Sequence, residues 1–281
     1  MNNKNVLITG CATGIGLNLA QTLQNKGYKV FASVRKQSDV EKLTQLGLRC
    51  LLLDVADSES IQSACKHLLK ETDGNLYALI NNAGFGQPGA VEDLNRTVLR
   101  EQFETNLFGL VELTNLLLPS MHQQGYGRII QISSVLGFVA MPFRGAYIAS
   151  KFALEGISDT LRLELQGTNI HVSLIEPGPI TSRFRENSLK LFNKNIDSNN
   201  SRFRKSYEAT IARLETEGPA VPFTLEPEAV SNKVLDALQN TNPKSRYYVT
   251  FPTYLFAYLK RILPTSMLDN LLSRSSKIEE K

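Results

Sequence analysis

Thr9-Gly10-Cys11-Ala12-Thr13-Gly14-Ile15-Gly16 joins an apolar run at 6–9 to an amphipathic stretch at 15–26. The order predicted is strand, glycine turn, helix. Gly10 permits the tight turn, Gly14 lets a phosphate approach the backbone, and Gly16 lets the helix pack closely on the strand. The helix start turns free N–H groups and the positive end of its dipole toward the turn. A lone glycine triple is a weak signal. Between a strand and a helix it points to nucleotide binding at Gly10, Thr13, Gly14, Ile15 and Gly16.

The same alternation continues outward. Short apolar runs at 29–34, 49–53, 76–81, 128–133 and 171–175 read as strands buried on both faces, and 246–250 as a last one. Amphipathic stretches at 38–46, 58–72, 91–122 (two helices) and 147–167 separate them. This pattern predicts an α/β fold, a doubly wound parallel sheet with helices on both faces. One domain is expected over 1–250, with a C-terminal helical extension and tail at 251–281. Glu226-Pro227 opens a helix to about residue 239, and 252–272 reads as two short helices broken at Pro264. Residues 182–225 are polar and basic and read as a long substrate flap, with 193–201 as a mobile run.

Composition narrows the class. The chain has 281 residues, 42 % of them apolar and 21 % charged, with a net charge of +4. That suits a soluble globular protein and gives no reason to invoke nucleic acid. The excess is local: residues 183–205 hold seven cations against Glu186 and Asp197, a net of +5. Cys11, Cys50 and Cys65 have no metal-like spacing and read as reduced thiols of a cytoplasmic protein. His67, His122 and His171 are scattered, so no metal is expected. No signal segment is read at the N-terminus, and no apolar run approaches the roughly 20 residues of a membrane span.

Four motifs in register carry a family resemblance. They are Gly10-x3-Gly14-x-Gly16, Asn81-Asn82-Ala83-Gly84, Ser134 with Tyr147-Ile148-Ala149-Ser150-Lys151, and Pro177-Gly178. Over residues 5–182 the chain resembles the short-chain dehydrogenases/reductases, which have a Rossmann fold. The stretches 147–164 and 172–180 look most like the retinol and 17β-hydroxysteroid dehydrogenase branch. The resemblance implies an oxidoreductase with Asn106, Ser134, Tyr147 and Lys151 as its catalytic set. Tyr147 and Lys151 are one helical turn apart and share a face. A nearby ammonium and an oxidised nicotinamide would favour the phenolate and lower its pKa. In reduction the same Tyr donates its proton to the carbonyl oxygen. Ser134 would hydrogen-bond that oxygen; Ser133 competes, and the family's 13-residue interval selects Ser134. The family gives Asn106 a water-holding role in proton relay to Lys151.

The end of the second strand lacks the carboxylate that NAD enzymes commonly place there. Arg35 stands there instead, flanked by Ser33 and Lys36, and a guanidinium suits a 2′-phosphate. NADP(H) is therefore the expected cofactor. The resemblance adds Asp54 and Val55 at the adenine, Asn81, Ala83 and Gly84 along the ribose, and Pro177, Gly178 and Thr181 near the nicotinamide. Tyr147 and Lys151 also face the cofactor. Phe85, Leu136, Phe138, Met141, Phe143, Phe184 and Phe192 are candidate substrate-lining residues for a hydrophobic aldehyde or ketone and its alcohol. A 3-oxoacyl-carrier-protein reductase and an NADP(H)-sensing module are the competing readings. In the family, the helices at 105–122 and 147–167 pair across a two-fold. Their stripes Leu107, Leu110, Leu113, Leu117 and Phe152, Leu154, Ile157, Leu161 lead to an expected homodimer. The C-terminal segment could cap the substrate pocket or lie on a membrane with Lys260 and Arg261 toward the headgroups. The basic flap invites the same membrane contact.

Overall fold

The structure, a computed structural model, describes residues 4–219 and 221–279, with side chains as far as Arg274. Seven parallel strands run β1 (Asn5–Ile8), β2 (Lys29–Val34), β3 (Arg49–Leu52), β4 (Ala78–Asn81), β5 (Gly127–Ile132), β6 (Ile170–Glu176) and β7 (Arg246–Tyr248). Their spatial order is β3-β2-β1-β4-β5-β6-β7. The chain winds one way from β1 to β3 and the other way from β4 to β7. The reversal opens a crevice at the carboxyl ends of β1 and β4.

Alternate residues of each strand feed two separate cores. Val6, Ile8, Val30, Ala32, Val34 and Ile80 pack under α1 (Gly14–Asn25), α2 (Gln37–Gln45) and α9 (Glu228–Gln239). Leu7, Phe31, Leu51, Leu79, Ile129 and Val172 pack under α3 (Ser58–Glu71), α5 (Gly109–Gln124) and α6 (Gly145–Glu164). Burial on both faces accounts for the continuous apolar runs.

Between residues 91 and 124 the expected pair of helices is α4 (Arg96–Phe103) and α5, fused through a π-helical turn at Glu104–Phe108. The two apolar stripes divide between the core and the surface. Leu107, Leu110, Leu113, Leu117 and Leu154 are buried in the chain's own core. The outward apolar residues of this face are Phe108, Leu116, Phe152, Ile157 and Leu163.

The largest departure is at 182–225. Instead of a long loop there are two helices, α7 (Phe184–Asn195) and α8 (Arg204–Glu215). Residues 193–195 of the expected mobile run lie inside α7. Wholly buried Tyr207 is the hub: Phe143 and Phe192 meet its ring edge-on with centroids 5.7 and 5.0 Å away. Its hydroxyl accepts the Ala90 amide at 2.8 Å and donates to Asp93. Each helix buries only a few side chains, too few for a readable stripe. Four of the segment's seven cations are engaged by acids. Arg183 and Lys190 pair with Glu186, Arg202 with Glu92, and Arg204 with Glu208.

At the C-terminus, α10 (Phe251–Ile262) and α11 (Thr265–Glu279) flank Pro264 as expected, α11 being the longer. Phe256 and Leu272 pack on Leu136 and Val139, with Phe138, Met141 and Tyr147 beside them. Among the described residues no helix is long and apolar enough to cross a membrane.

Candidate active site

The glycine turn has the geometry its sequence demands. Gly10 and Gly14 have φ of +72° and +59°, a region that side chains rarely enter. A Cβ on Gly16 would lie 2.2 Å from the Gly10 carbonyl oxygen, so α1 touches the turn there. Thr13 caps α1 through its backbone alone, leaving its hydroxyl free of the first-turn amides. Cys11 is buried and donates its thiol to the Ile8 carbonyl. The next turn is stitched to this one. The Thr9 hydroxyl accepts the amides of Asn82 and Ala83, both at 2.9 Å. Asn82 Nδ2 donates back to the Thr9 and Gly10 carbonyls. Sequence reasoning had no role for Thr9 or Asn82; the signal was only their place in the two motifs.

Around this cradle the predicted residues sort themselves. Arg35 and Lys36 are exposed at the end of β2, and neither forms an ion pair among the described residues. Ser33 is wholly buried instead, its carbonyl taking the Cys11 amide at 2.8 Å. Asp54 accepts the Ala56 amide, and Val55 is buried beside it. Asn81 does not face the crevice. It is fully buried on the α5 side and donates to Thr114 at 3.0 Å, because its strand position alternates with Ile80. Ala83 and the exposed Gly84 do lie at the turn. Ser182 approaches Gly14 from the far side, 3.2 Å from where a Cβ would stand. Thr181 donates its hydroxyl to Glu226 at 2.9 Å. Gly178 is required for packing, since a Cβ there would meet the Thr250 hydroxyl. Pro177 is buried, and its carbonyl holds the Val135 amide at 2.8 Å. The open glycine cradle and a helix start whose first-turn amides take no side-chain cap fit the phosphates of a dinucleotide.

Ser134, Tyr147 and Lys151 converge at the carboxyl end of β5. Ser134 follows the strand and accepts the Leu136 amide at 3.1 Å, fixing the short 3₁₀ turn Val135–Gly137. Its hydroxyl also hydrogen-bonds the Tyr147 phenol, which burial pushes up to about 12. The pKa lowering expected from Lys151 is absent from the chain by itself: its Nζ stands 5.8 Å from the Tyr147 ring centre and donates to the Ile132 carbonyl at 2.7 Å. Burial lowers the Lys151 ammonium to about 8. Phe184 lies edge-on against Tyr147, with ring centres 5.4 Å apart. Tyr147 therefore sits between the 3₁₀ turn and the start of α7.

Asn106 occupies the π turn and is wholly buried. Its Oδ1 accepts the Phe85 amide, and Nδ2 donates to the Phe85 carbonyl and to Ser150. Ser150 in turn donates to the Tyr147 carbonyl at 2.7 Å. Both Nδ2 protons are committed, so the side chain acts here as a brace between the turn after β4 and the Tyr147 helix.

The candidate substrate residues divide. Phe184, Leu136, Phe138 and Met141 surround or adjoin Tyr147, while Phe85 is held through its backbone by Asn106. Phe192, only 1 % exposed, and Phe143 belong to the Tyr207 cluster that holds the cover together. They do not line the site.

A doubly wound sheet with a glycine cradle at β1 and a Ser-Tyr-Lys cluster at β5 defines a dinucleotide-binding oxidoreductase class. The short chain dehydrogenase profile matches residues 4–190. The chain is 44 % identical over 269 residues to the uncharacterised oxidoreductase YbbO of Escherichia coli (strain K12), covering 96 % of this chain and 94 % of that one. It is 33 % identical to human 17-beta-hydroxysteroid dehydrogenase type 1, over 87 % of this chain and 77 % of that one. A short-chain dehydrogenase of Streptomyces avermitilis superposes with a TM-score of 0.78 at 27 % identity, covering 93 % and 94 % of the two chains. The chain belongs to the short-chain dehydrogenase/reductase family.

Proposed function

We propose that this protein is an NADP(H)-dependent reductase of hydrophobic aldehydes or ketones, retinoid-, steroid- or long-chain-aldehyde-like. The observation that carries the reading is the Tyr147 phenol, hydrogen-bonded to Ser134 within an apolar surround and one helical turn from the buried Lys151. NADPH, when bound in the glycine cradle, supplies the hydride. Tyr147 gives its phenolic proton to the carbonyl oxygen, and Ser134 hydrogen-bonds that oxygen as charge develops on it. Lys151, held on the Ile132 carbonyl, stabilises the phenolate left behind until solvent returns the proton. The similarity to a steroid dehydrogenase and the apolar cluster around Tyr147 both favour a hydrophobic substrate. The competing carrier-protein reading rests on the basic residues of 183–205, of which Arg183, Lys190, Arg202 and Arg204 are engaged by acids; the thioester arm of the screen below tests it.

The test is a screen of retinal, decanal, ketosteroids and an acyl-carrier thioester with NADPH and with NADH. Consumption of NADPH with the first three classes is expected, and turnover of the thioester alone would defeat the reading. In the same assay Arg35→Asp is expected to lower the NADPH-over-NADH preference about 100-fold, because charge-assisted phosphate contacts become repulsion. An unchanged preference would remove Arg35 from the phosphate site.

We also propose a homodimer across Phe108, Leu116, Phe152 and Ile157, checked by light scattering as twice the chain mass. The C-terminal helices cap the Tyr147 side with Phe256 and Leu272 and turn a second stripe outward. Phe251, Tyr254, Leu255, Tyr258 and Ile262 recur at helical spacing and are all exposed. Beside them Arg261 offers charge to anionic headgroups, and α10 contains no acid. Peripheral membrane contact through this stripe predicts co-sedimentation with phosphatidylglycerol vesicles that Tyr258→Glu weakens. Equal recovery of both proteins in the supernatant would end the idea.

A further inference from the structure

Behind Tyr147 and Lys151, on the side away from any substrate, α6, β6 and β7 bring three acids to one guanidinium. Glu155 lies one turn after Lys151 on the same buried stripe of α6. One of its carboxylate oxygens accepts the Ser133 hydroxyl, and the other accepts Arg246 Nη2 at 3.1 Å. Arg246 also donates to Asp159 at 2.7 Å, and its Nε stands 3.1 Å from Glu176 Oε1. Glu176 ends β6 with no exposure, and neither of its oxygens receives a hydrogen bond.

The cluster is built against the catalytic loop. A Cβ on Gly137 would stand 2.7 Å from the Ser133 hydroxyl and 3.1 Å from Glu155 Oε1. The Val135–Gly137 turn therefore rests directly on the Ser133–Glu155 pair. That turn begins at Ser134, whose hydroxyl bonds Tyr147.

The charges can be assigned. Glu155 is faced by Lys151 and Asp159 from its own helix, Ser133 from the end of β5, Glu176 from β6, and Arg246 and Tyr248 from β7; Arg261 acts on Tyr248 from α10. Two buried carboxyls this close do not both ionise readily. Burial and the neighbouring Glu155 push Glu176 up to about 8, so at neutral pH Glu176 is the protonated partner. Burial raises the Glu155 carboxyl as well, but the hydrogen bonds from Ser133 and Arg246 oppose that and make Glu155 the partner that carries the anion. Its negative charge opposes the burial that lowers Lys151.

We propose that Glu155 is a positioning residue for this site: its carboxylate, fixed by Ser133 and Arg246, faces Lys151 with a negative charge and seats the loop that carries Ser134. The proposal rests on the Tyr147–Lys151 chemistry above, so its first readout does not need turnover. In full-length protein labelled with ¹³Cε-lysine, the Lys151 resonance is identified by its loss in Lys151→Met and titrated. Glu155→Gln is expected to lower its midpoint by about one pH unit or more. In the same variant kcat falls about tenfold at pH 8, with KM for NADPH within about twofold. Asp159→Asn, which touches the same arginine but lies farther from Lys151 along α6, is expected to leave midpoint and kcat nearly unchanged. Ser133→Ala leaves the Arg246 bond to Glu155 and frees the loop, so kcat falls several-fold while the Lys151 midpoint moves less than in Glu155→Gln.

An unmoved midpoint in Glu155→Gln, or an equal shift in Asp159→Asn, would overturn the electrostatic part. If Glu155→Gln does not fold, an unchanged kcat in Ser133→Ala still overturns the seating part. A wild-type protein that turns over no carbonyl, yet shows the Lys151 shift in Glu155→Gln, would refute the assigned reaction and leave the coupling standing.

Discussion

Replacing Tyr147 by Phe is expected to lower kcat for carbonyl reduction by about a thousandfold while NADPH affinity changes by no more than about twofold. The ring keeps its edge-on contact with Phe184 and its place beside Leu136 and Phe138. Only the hydroxyl is lost, and with it the bond to Ser134. With the phenol pushed up to about 12, the group is fully protonated at neutral pH and suited to donating a proton. The same elevation makes the phenolate costly, which is why the buried Lys151 cation is needed within reach. Rising pH strips that cation near 8, so wild-type reduction is expected to decline above that pH. The Tyr147→Phe variant should have little turnover left to lose. Measured together, NADPH oxidation and NADPH binding by fluorescence decide the matter. A kcat within tenfold of wild type would mean that the proton comes from elsewhere.

The fold was legible because the five inner strands are buried on both faces, so each reads as a short apolar run bounded by turns. The register, in which Leu7 lies between Phe31 and Leu79, is known from the structure alone. The turn motifs were legible for a local reason: φ at Gly10 and Gly14 is written into the residue type. What was hidden depended on partners distant in sequence. Asn81 and Asn82 are adjacent, yet one is buried on Thr114 and the other stitches the glycine turn. Only strand alternation separates them. The cover helices α7 and α8 could not be read because their stability is concentrated in one side chain, Tyr207, bonded to Ala90 and Asp93 more than a hundred residues away. Glu155 was equally invisible: inside an amphipathic helix it looks like any surface acid until Arg246 arrives from the seventh strand. Leu110 and Leu113 show the opposite error, in which a real apolar stripe was assigned to a partner although the chain's own sheet takes it.

The steric argument at Gly16 gives the other large effect. By helix propensity alone, Gly→Ala inside a helix stabilises by roughly 0.5–1 kcal/mol. Gly156, in the middle of α6, has no neighbouring atom within 4 Å of where a methyl would stand, and Gly156→Ala should follow that rule. At Gly16 the sign reverses. A methyl there would stand 2.2 Å from the Gly10 oxygen and 2.6 Å from Asn82 Nδ2. Neither neighbour can yield: the Gly10 oxygen is main chain, and Asn82 is tied to both Thr9 and Gly10. Relief therefore requires α1 to lift from the turn, carrying its first-turn amides away from the phosphate position. Gly16→Ala is expected to lose about 1–3 kcal/mol of stability, a fall in Tm of roughly 3–10 °C. Dinucleotide affinity should fall about 100-fold, the scale of a 1 Å misplacement in a preorganised site. Calorimetry of the two alanine variants beside wild type, with NADPH titration of each, makes the comparison. Equal Tm shifts of the same sign at residues 16 and 156 would show that α1 is free to move, and the cradle would then owe its shape to something other than the contact between Gly16 and Gly10.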